Sequence, residues 1–200
     1  MRPEIKQILD FLHQSEKLKT VMRHSWLSND RQESVAEHTW RMALMAMMLE
    51  PYLEQKVDLL KTMKMVLVHD LVEVNYQDNP PFKKPPPDKT IQERKSLVKL
   101  TKPLPPKLCN ELRSLWEEYE AANSQEALFA KFLDKTEVLL QHNEANIIYL
   151  TKAEIPFNLT YGKEYSKHDN FLADFRQAID NETLVNYKKH KVSKKLYTEF

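Results

Sequence analysis

Three residues with ionisable side chains interrupt an otherwise apolar stretch near the middle of the chain. They are His69, Asp70 and Glu73, and their apolar neighbours are Leu67, Val68, Leu71 and Val72. Residues three or four positions apart share one face of a helix, so Glu73 should lie near both His69 and Asp70. An imidazole and two carboxylates buried among leucines and valines are costly unless something pairs them. A divalent cation would do so, which makes this segment a candidate metal site.

The His-Asp dipeptide is weak support by itself, because the chain contains a second one, His168-Asp169. That second pair stands in a polar stretch, and we predict that His168 lies on the surface. His69 stands in a stretch that should belong to the core. The surroundings therefore favour His69-Asp70 over the other pair.

Two further residues could complete a metal site from other parts of the chain. His38 follows Ser34-Val-Ala-Glu37, which has the form of a capping box, so His38 should lie near a helix start, where anions are favoured. Asp134 stands in an apolar helical pattern. Simpler interpretations also exist: His38 could be hydrogen-bonded within its cap, and Asp134 could pair with Lys131 or Lys135 at a helix surface.

Two histidines and two aspartates from three helices would form a four-ligand nitrogen and oxygen site with room for water. This ligand set suits Mn, Co, Fe, Ni or Zn better than a soft metal. Such an ion would acidify a water molecule and polarise a phosphoryl oxygen. Glu73 could then orient or deprotonate that water.

The elements that must position these residues are predicted to be helices throughout. Helical periodicity with start and stop signals gives helices at about 3–19, 34–50, 58–76, 91–100, 105–121, 124–149, 164–179 and 182–189. The segment Asp78–Lys89 holds five prolines and is predicted to be an ordered loop. No convincing strand run is found. We therefore predict an all-α fold in which residues 1–200 form a single domain.

The composition narrows the kinds of ligand. A net charge of +1 over 200 residues favours a small-molecule substrate over nucleic acid. The lone cysteine, Cys109, excludes an intramolecular disulfide and a multi-cysteine zinc site. The one glycine, Gly162, excludes every glycine-rich phosphate loop. A phosphate would have to be bound by a metal, by arginine or lysine, or by a helix end.

The apolar runs indicate packing rather than membrane insertion. The longest, Met42–Leu49, is far too short to span a bilayer, and no signal-peptide pattern is visible at the start. We predict a soluble cytoplasmic protein without membrane contact. Trp116, Tyr119 and the methionine-rich run Met42–Met48 are predicted to belong to the core or to a subunit interface.

The arrangement His38, His69-Asp70 and Asp134 resembles the HD-domain phosphohydrolases. The surrounding residues narrow the resemblance to the 5′-deoxynucleotidases of this superfamily, of the YfbR type and the HD domain-containing protein 2 type. The motifs that carry it are Arg23, Glu33-Ser-Val-Ala-Glu-His38, His69-Asp70-Leu-Val-Glu73-Val-Asn-Tyr-Gln-Asp78, Leu115-Trp-Glu-Glu-Tyr119 and Lys131-Phe-Leu-Asp134. The resemblance covers about Ile8 to Glu144, and residues 145–200 are interpreted as additional C-terminal helices.

The resemblance implies a helical HD fold with a metal site between core helices, and removal of the 5′-phosphate from deoxyribonucleoside 5′-monophosphates. It implies a divalent cofactor, Co or Mn, with Mg, Zn, Fe and Ni as further candidates, and a homodimer. It also implies roles for individual residues. These are metal ligation by His38, His69, Asp70 and Asp134, catalysis by Glu73 with Asp70, contact of Asp78 with the deoxyribose 3′-hydroxyl, phosphate binding by Arg23, and a pocket-lining position for Trp26.

Two other functions remain open from the sequence. A related HD pyrophosphohydrolase or triphosphohydrolase would share the metal site and differ in its products. A non-catalytic nucleotide-binding module would keep the metal site without turnover. The presence of Glu73 favours an enzyme, because ligands alone would be enough to hold a metal.

Overall fold

Eight α-helices and one short two-stranded sheet make up the part of the chain that a computed structural model describes, residues 2–75, 86–151 and 154–197. The helices are α1 (Pro3–Ser15), α2 (Val35–Leu49), α3 (Leu59–Val68), α4 (Lys89–Thr101), α5 (Pro106–Ala121), α6 (Gln125–Glu144), α7 (Glu154–Asn158) and α8 (Asn170–Tyr197). The all-α fold class is confirmed. Asp78 and most of the proline-rich segment fall outside the described residues.

The predicted absence of strands was wrong at one place. Strand β1 (Met22–Trp26) pairs antiparallel with β2 (Gln32–Ser34), with Met22 opposite Ser34 and Trp26 opposite Gln32. The strands are five and three residues long and mostly polar, so they lack the apolar alternation by which a strand is recognised in sequence. The sheet leads the chain directly into α2.

Helix α2 begins with the predicted capping box. The Ser34 side chain accepts a hydrogen bond from the Glu37 backbone N–H at 3.3 Å, and the Glu37 carboxylate accepts one from the Ser34 backbone N–H at 2.8 Å. These two bonds satisfy backbone donors that a helix start otherwise leaves free. The box fixes where α2 starts, and so places His38 in its first turn.

Helix α3 is shorter than the predicted helix over 58–76. It ends at Val68, and Leu71–Val74 form a 3₁₀ turn instead. Asp70 leaves the helical conformation with φ −100° and ψ 10°, and its carbonyl accepts from the Glu73 N–H at 3.0 Å. His69 and Asp70 therefore stand at the end of a helix rather than inside one.

The C-terminal part also differs from the prediction. The helix predicted to reach Tyr149 ends at Glu144, and the helix start predicted at Glu164 is a 3₁₀ turn, Lys163–His168. The break predicted near residue 180 is absent, because α8 runs without interruption over Asn170–Tyr197. Helices α4 and α5 lie within two residues of their predicted bounds.

Helix α6 is the centre of the packing. It contacts α2, α3, α5 and α8, and buries residues on most of its circumference, including Ala130, Phe132 and Leu133. A helix that is apolar on most sides must be surrounded by other elements. Polar residues on such a helix, Asp134 among them, are consequently held inside the molecule. Each helix in the described ranges is too short or too polar to cross a membrane.

Candidate metal centre

His38 reaches the interior from the first turn of α2 and is 0% exposed. Its Nδ1 is hydrogen-bonded to Oε2 of Glu137 on α6. Because an ionised carboxylate only accepts hydrogen bonds, Nδ1 must carry the proton. The other ring nitrogen, Nε2, lies 3.4 Å from Oδ1 of Asp134 and 4.0 Å from Oδ2 of Asp70.

His69 is oriented in the same sense from the end of α3. Its Nδ1 lies 2.7 Å from the backbone carbonyl of Val66, another acceptor, and its Nε2 lies 3.1 Å from Oδ2 of Asp70. The centroids of the two imidazole rings are 5.7 Å apart. Among the described residues, neither Nε2 has a hydrogen-bond partner although both are buried. Two buried ring nitrogens that face carboxylates without a hydrogen bond are the arrangement a metal ion would satisfy.

Asp134 contributes a carboxylate from α6. Its Oδ2 accepts from the Tyr119 hydroxyl at 2.6 Å and from Lys135 Nζ at 2.7 Å, while Oδ1 faces His38. The simpler interpretation holds in part: Asp134 does pair with Lys135, but the pair is not at the helix surface, because Asp134 is 7% exposed, and Lys131 pairs with Glu120 instead. Ligand atoms of His38, His69 and Asp134 all lie within 4.8 Å of one another.

Asp70 and Arg23 complete the cluster on the side of the sheet. Arg23 Nη1 lies 3.4 Å from Asp70 Oδ2, and its Nε lies 3.2 Å from Oε2 of Glu33. The structure therefore places the predicted phosphate-binding arginine against one predicted metal ligand. An anion that approached Asp70 would meet a guanidinium already in position.

The charged groups in this cluster shift one another's pKa values. Burial alone would raise the pKa of Asp70, but His69, followed by Arg23 and His38, holds it below its usual range. Burial would likewise raise the pKa of Asp134, and Lys135 and His38 hold it well below. Burial and Arg23 would lower the pKa of His38, and Glu137 and Asp134 raise it to about 9. A metal that binds Nε2 must therefore release a proton from His38.

Of the remaining predicted site residues, Glu73 lies next to the cluster along the chain, and Trp26 lies on the other face of its strand. Glu73 lies on the 3₁₀ turn that follows Asp70, half-buried, with its backbone bonded to the Asp70 carbonyl. Trp26 is on β1 with Arg23, but its ring stacks on Tyr149 at 4.0 Å between centroids. Arg23 and Ser25 are the buried positions of this strand, so Trp26 lies on the opposite side. Asp78 lies outside the described residues.

Several residues around the cluster received no role from the sequence. Glu137 and Arg41 lie behind His38, where Arg41 Nε donates to Glu137 Oε1 at 2.9 Å. Tyr119, predicted only as core or interface, donates to Asp134. A signal for Glu137 was present, because it stands one helical turn after Asp134 and so shares its face. Arg41 carries no comparable signal, since an arginine on a helix usually lies in solvent.

Comparison with known proteins gives consistent results. The HD-domain family model matches residues 15–176. The human protein named 5′-deoxynucleotidase HDDC2 is 37% identical over 142 residues, which cover 70% of this chain and 68% of the relative. The Dictyostelium discoideum protein of the same name is 35% identical over 144 residues, covering 68% and 76%. A crystal structure described as a predicted metal-dependent phosphohydrolase from Magnetospirillum magnetotacticum MS-1 superposes with a TM-score of 0.78 at 30% identity, covering 92% of this chain and 94% of that one.

Proposed function

The chain belongs to the HD-domain family, and from this membership we propose that it is a metal-dependent phosphohydrolase that removes the 5′-phosphate from deoxyribonucleoside 5′-monophosphates. The observation that carries the proposal is the convergence of His38, His69 and Asp134, with two buried Nε2 atoms that lack a hydrogen bond among the described residues. The relatives named 5′-deoxynucleotidase support the substrate class.

The residues that would hold the metal are His38, His69, Asp70 and Asp134. Two imidazole nitrogens and two carboxylates form a donor set of intermediate hardness, which fits Co or Mn and also admits Mg, Zn, Fe and Ni. When bound, the ion supplies Lewis-acid polarisation of a phosphoryl oxygen and acidifies water. The donor set fits such an ion, because the buried Nε2 atoms of His38 and His69 otherwise lack a hydrogen-bond partner among the described residues.

The chain's own residues supply the rest of the chemistry. Arg23 binds the phosphate, since a guanidinium matches the geometry of phosphate oxygens. Glu73 takes a proton from the attacking water, as a general base one turn beyond the ligands. Asp78 accepts a hydrogen bond from the 3′-hydroxyl of the sugar. Trp26 has no place in this proposal, because its side chain lies on the face of β1 opposite Arg23 and stacks on Tyr149.

The reaction is tested by a phosphate-release screen of nucleoside monophosphates with Mn, Co, Mg and Zn. We expect phosphate from dAMP and its relatives, and its loss in Asp70→Asn. The matched control is Asp169→Asn, the same change in the second His-Asp pair, which should keep activity. Pyrophosphate or triphosphate release from dATP, without phosphate release from dAMP, would replace the proposal with the pyrophosphohydrolase or triphosphohydrolase reading.

Selectivity for the sugar is tested in the same screen. We expect dAMP to be hydrolysed faster than AMP, and 3′-deoxyadenosine 5′-monophosphate to be a poor substrate because it cannot donate to Asp78. Asp78→Asn should reduce the difference between dAMP and the 3′-deoxy analogue. Equal rates on dAMP and AMP would contradict selectivity for the deoxyribose.

We further propose that the protein is a homodimer. Helix α2 presents four large apolar side chains to solvent at spacings of four, three and one residues, which lie on one face. They are Trp40, Leu44, Met47 and Met48. An exposed apolar face of this kind marks a protein interface more often than an isolated exposed residue does.

A further inference from the structure

His38 is supported from behind by a carboxylate that the proposed reaction does not use. Glu137 is 0% exposed and lies on α6, one turn beyond Asp134. Its Oε2 accepts the Nδ1 proton of His38, and its Oε1 accepts from Arg41 Nε at 2.9 Å. Both oxygens are occupied, so the carboxylate has one orientation available to it.

Arg41 is itself held by two further side chains of α6. Its Nη1 donates to Glu144 Oε2 at 2.7 Å, and its Nη2 donates to the side-chain oxygen of Gln141. The Gln141 amide donates in turn to the backbone carbonyl of Trp26 at 2.7 Å. The support behind His38 thus joins α2, α6 and strand β1 through ordered hydrogen bonds.

The two histidines of the cluster are held by different kinds of acceptor. His69 donates its Nδ1 proton to the backbone carbonyl of Val66, whereas His38 donates to a charged side chain. A carboxylate that accepts from a ring N–H fixes the ring orientation and makes the opposite nitrogen a stronger ligand. It also adds a negative charge close to where a cation would lie.

We propose that Glu137 is a positioning residue for the metal, which holds His38 with Nε2 directed at the cluster, and that Arg41 keeps Glu137 in place. This inference rests on the metal site of the proposed function. Glu137 touches neither the cation nor the substrate, and it acts through the orientation and basicity of His38. Its loss should therefore weaken metal binding first.

The test is a Co²⁺ titration of the purified chain without substrate, followed by visible absorption and by competition with a chelator. Glu137→Gln keeps the shape and removes the charge, and we expect about tenfold weaker Co²⁺ binding. Glu137→Leu removes the acceptor as well, and we expect a loss nearer a hundredfold, with an altered Co²⁺ spectrum. At saturating Co²⁺, the KM for dAMP should stay that of the wild type.

The matched control is Glu126→Gln, the same chemical change three turns earlier on the same helix. Glu126 also has two partners, the Asp58 backbone N–H at 3.0 Å and Lys61 Nζ at 3.4 Å, but it lies away from the cluster. We expect wild-type Co²⁺ affinity and an unchanged spectrum from this variant. An equal loss of affinity in both glutamine variants would show a general effect of stability and overturn the proposal.

Wild-type Co²⁺ affinity in Glu137→Gln would also overturn the proposal. If Glu137→Leu does not fold, the result for Glu137→Gln alone decides the test. The readout separates the inference from the proposed function. A wild-type chain that binds Co²⁺ in a Glu137-dependent manner, but releases phosphate from no nucleotide, would leave the inference standing and overturn the function. Phosphate release from dAMP, with a Co²⁺ affinity that does not depend on Glu137, would leave the function standing and overturn the inference.

Discussion

His69 and His168 each precede an aspartate, but only one of them has the surroundings of a ligand. His168 is exposed, and the carboxylate of Asp169 accepts from the backbone N–H groups of Glu54 and Leu172 at 2.7 and 3.3 Å. Asp169 is thus a backbone cap. At His69 the ring is buried and one nitrogen faces carboxylates without a hydrogen bond. A metal ligand is distinguished by this unmet hydrogen-bonding capacity rather than by the identity of its neighbour.

A substitution at Glu73 can separate metal binding from catalysis. We expect Glu73→Gln to lower kcat by about 10²- to 10⁴-fold, because the amide cannot take a proton from water. Co²⁺ affinity should not change, since Glu73 is not among the four proposed ligands. The measurement is steady-state phosphate release from dAMP at saturating metal, with Co²⁺ titration of the same preparation.

Glu118→Gln is a suitable comparison for that substitution. Glu118 pairs with Lys61 Nζ at 2.6 Å on the α3–α5 side of the molecule, so the change removes a partnered carboxylate without touching the cluster. Its kcat should equal that of the wild type. A Glu73→Gln enzyme with undiminished kcat would assign the general base to another residue.

At the scale of the elements, the start of α2 decides where His38 lies, and its stability should depend on pH. Arg31 donates to both oxygens of Glu37, at 3.1 and 2.5 Å. These bonds, together with those from Ser34, lower the pKa of Glu37 from 4.5 to about 2. A carboxylate whose pKa is lower in the folded state stabilises the fold fully above pH 4.5. That contribution is lost as the pH falls through about 2.

We expect Glu37→Gln to lower the free energy of unfolding by about 0.5–1 kcal/mol at pH 7, because the pair is partly exposed and glutamine can still serve the capping box. The difference from the wild type should shrink as the pH falls from 4.5 to 2. Urea unfolding at several pH values measures it. In an Arg31→Gln background the same substitution should cost less, and an equal cost at every pH would contradict the assignment.

The elements also show where sequence reasoning succeeds and where it stops. The capping box at Ser34 and the apolar patterns of α4 and α5 are local, so their helices could be predicted. The end of α3 at Val68 could not, because the apolar pattern continues through Leu71 and Val72 while the hydrogen bonding changes to a 3₁₀ turn. The apolar pattern predicts which side chains are buried, but it does not specify which backbone carbonyl accepts a hydrogen bond from a given N–H.

Contacts between residues far apart in the chain are the second limit on prediction from the sequence. The four predicted ligands carry distinctive side chains, and the structure brings them together. Arg41 and Glu137, by contrast, stand 96 positions apart in the chain and meet only because α2 packs against α6. The one glycine, Gly162, is a similar case. Its φ is +66°, and a side chain there would lie 2.2 Å from Cβ of Lys135, the residue after Asp134. Such contacts depend on the packing of α6, which no local pattern encodes.

At the scale of the whole molecule, a bound metal should stabilise the fold, because the proposed ligands come from α2, the end of α3 and α6. Binding to the folded state alone adds about 2.7 kcal/mol when free metal is a hundred times Kd. For a chain of this length we expect Tm to rise by about 5–11 °C. Thermal unfolding with added Co²⁺ and then with excess chelator measures the shift.

His69→Ala should abolish that shift, whereas His168→Ala, the change in the exposed histidine, should preserve it. A shift of wild-type size in His69→Ala would mean that the stabilising metal binds elsewhere. The comparison does not depend on turnover, so it tests the metal site independently of the substrate.

The proposed dimer is the other property of the whole molecule. Trp40 and Met48 are 66% and 55% exposed, eight residues apart on one face of α2. If this face is the interface, Trp40→Lys combined with Met48→Lys should give a monomer in sedimentation velocity, because two desolvated lysines on each subunit are costly to bury. In a protein that is already a monomer, the same substitutions would face solvent and change little.

Ile148→Lys provides the comparison for the dimer test, since Ile148 is 68% exposed and lies on the turn after α6 rather than on α2. It should leave the dimer intact. His38 and Trp40 stand on the same helix, and His38 points into the cluster while Trp40 faces solvent. A monomeric double variant that keeps wild-type Co²⁺ affinity would show that each subunit builds its metal site alone. Loss of affinity on dissociation would show that the dimer holds α2, and with it His38, in position.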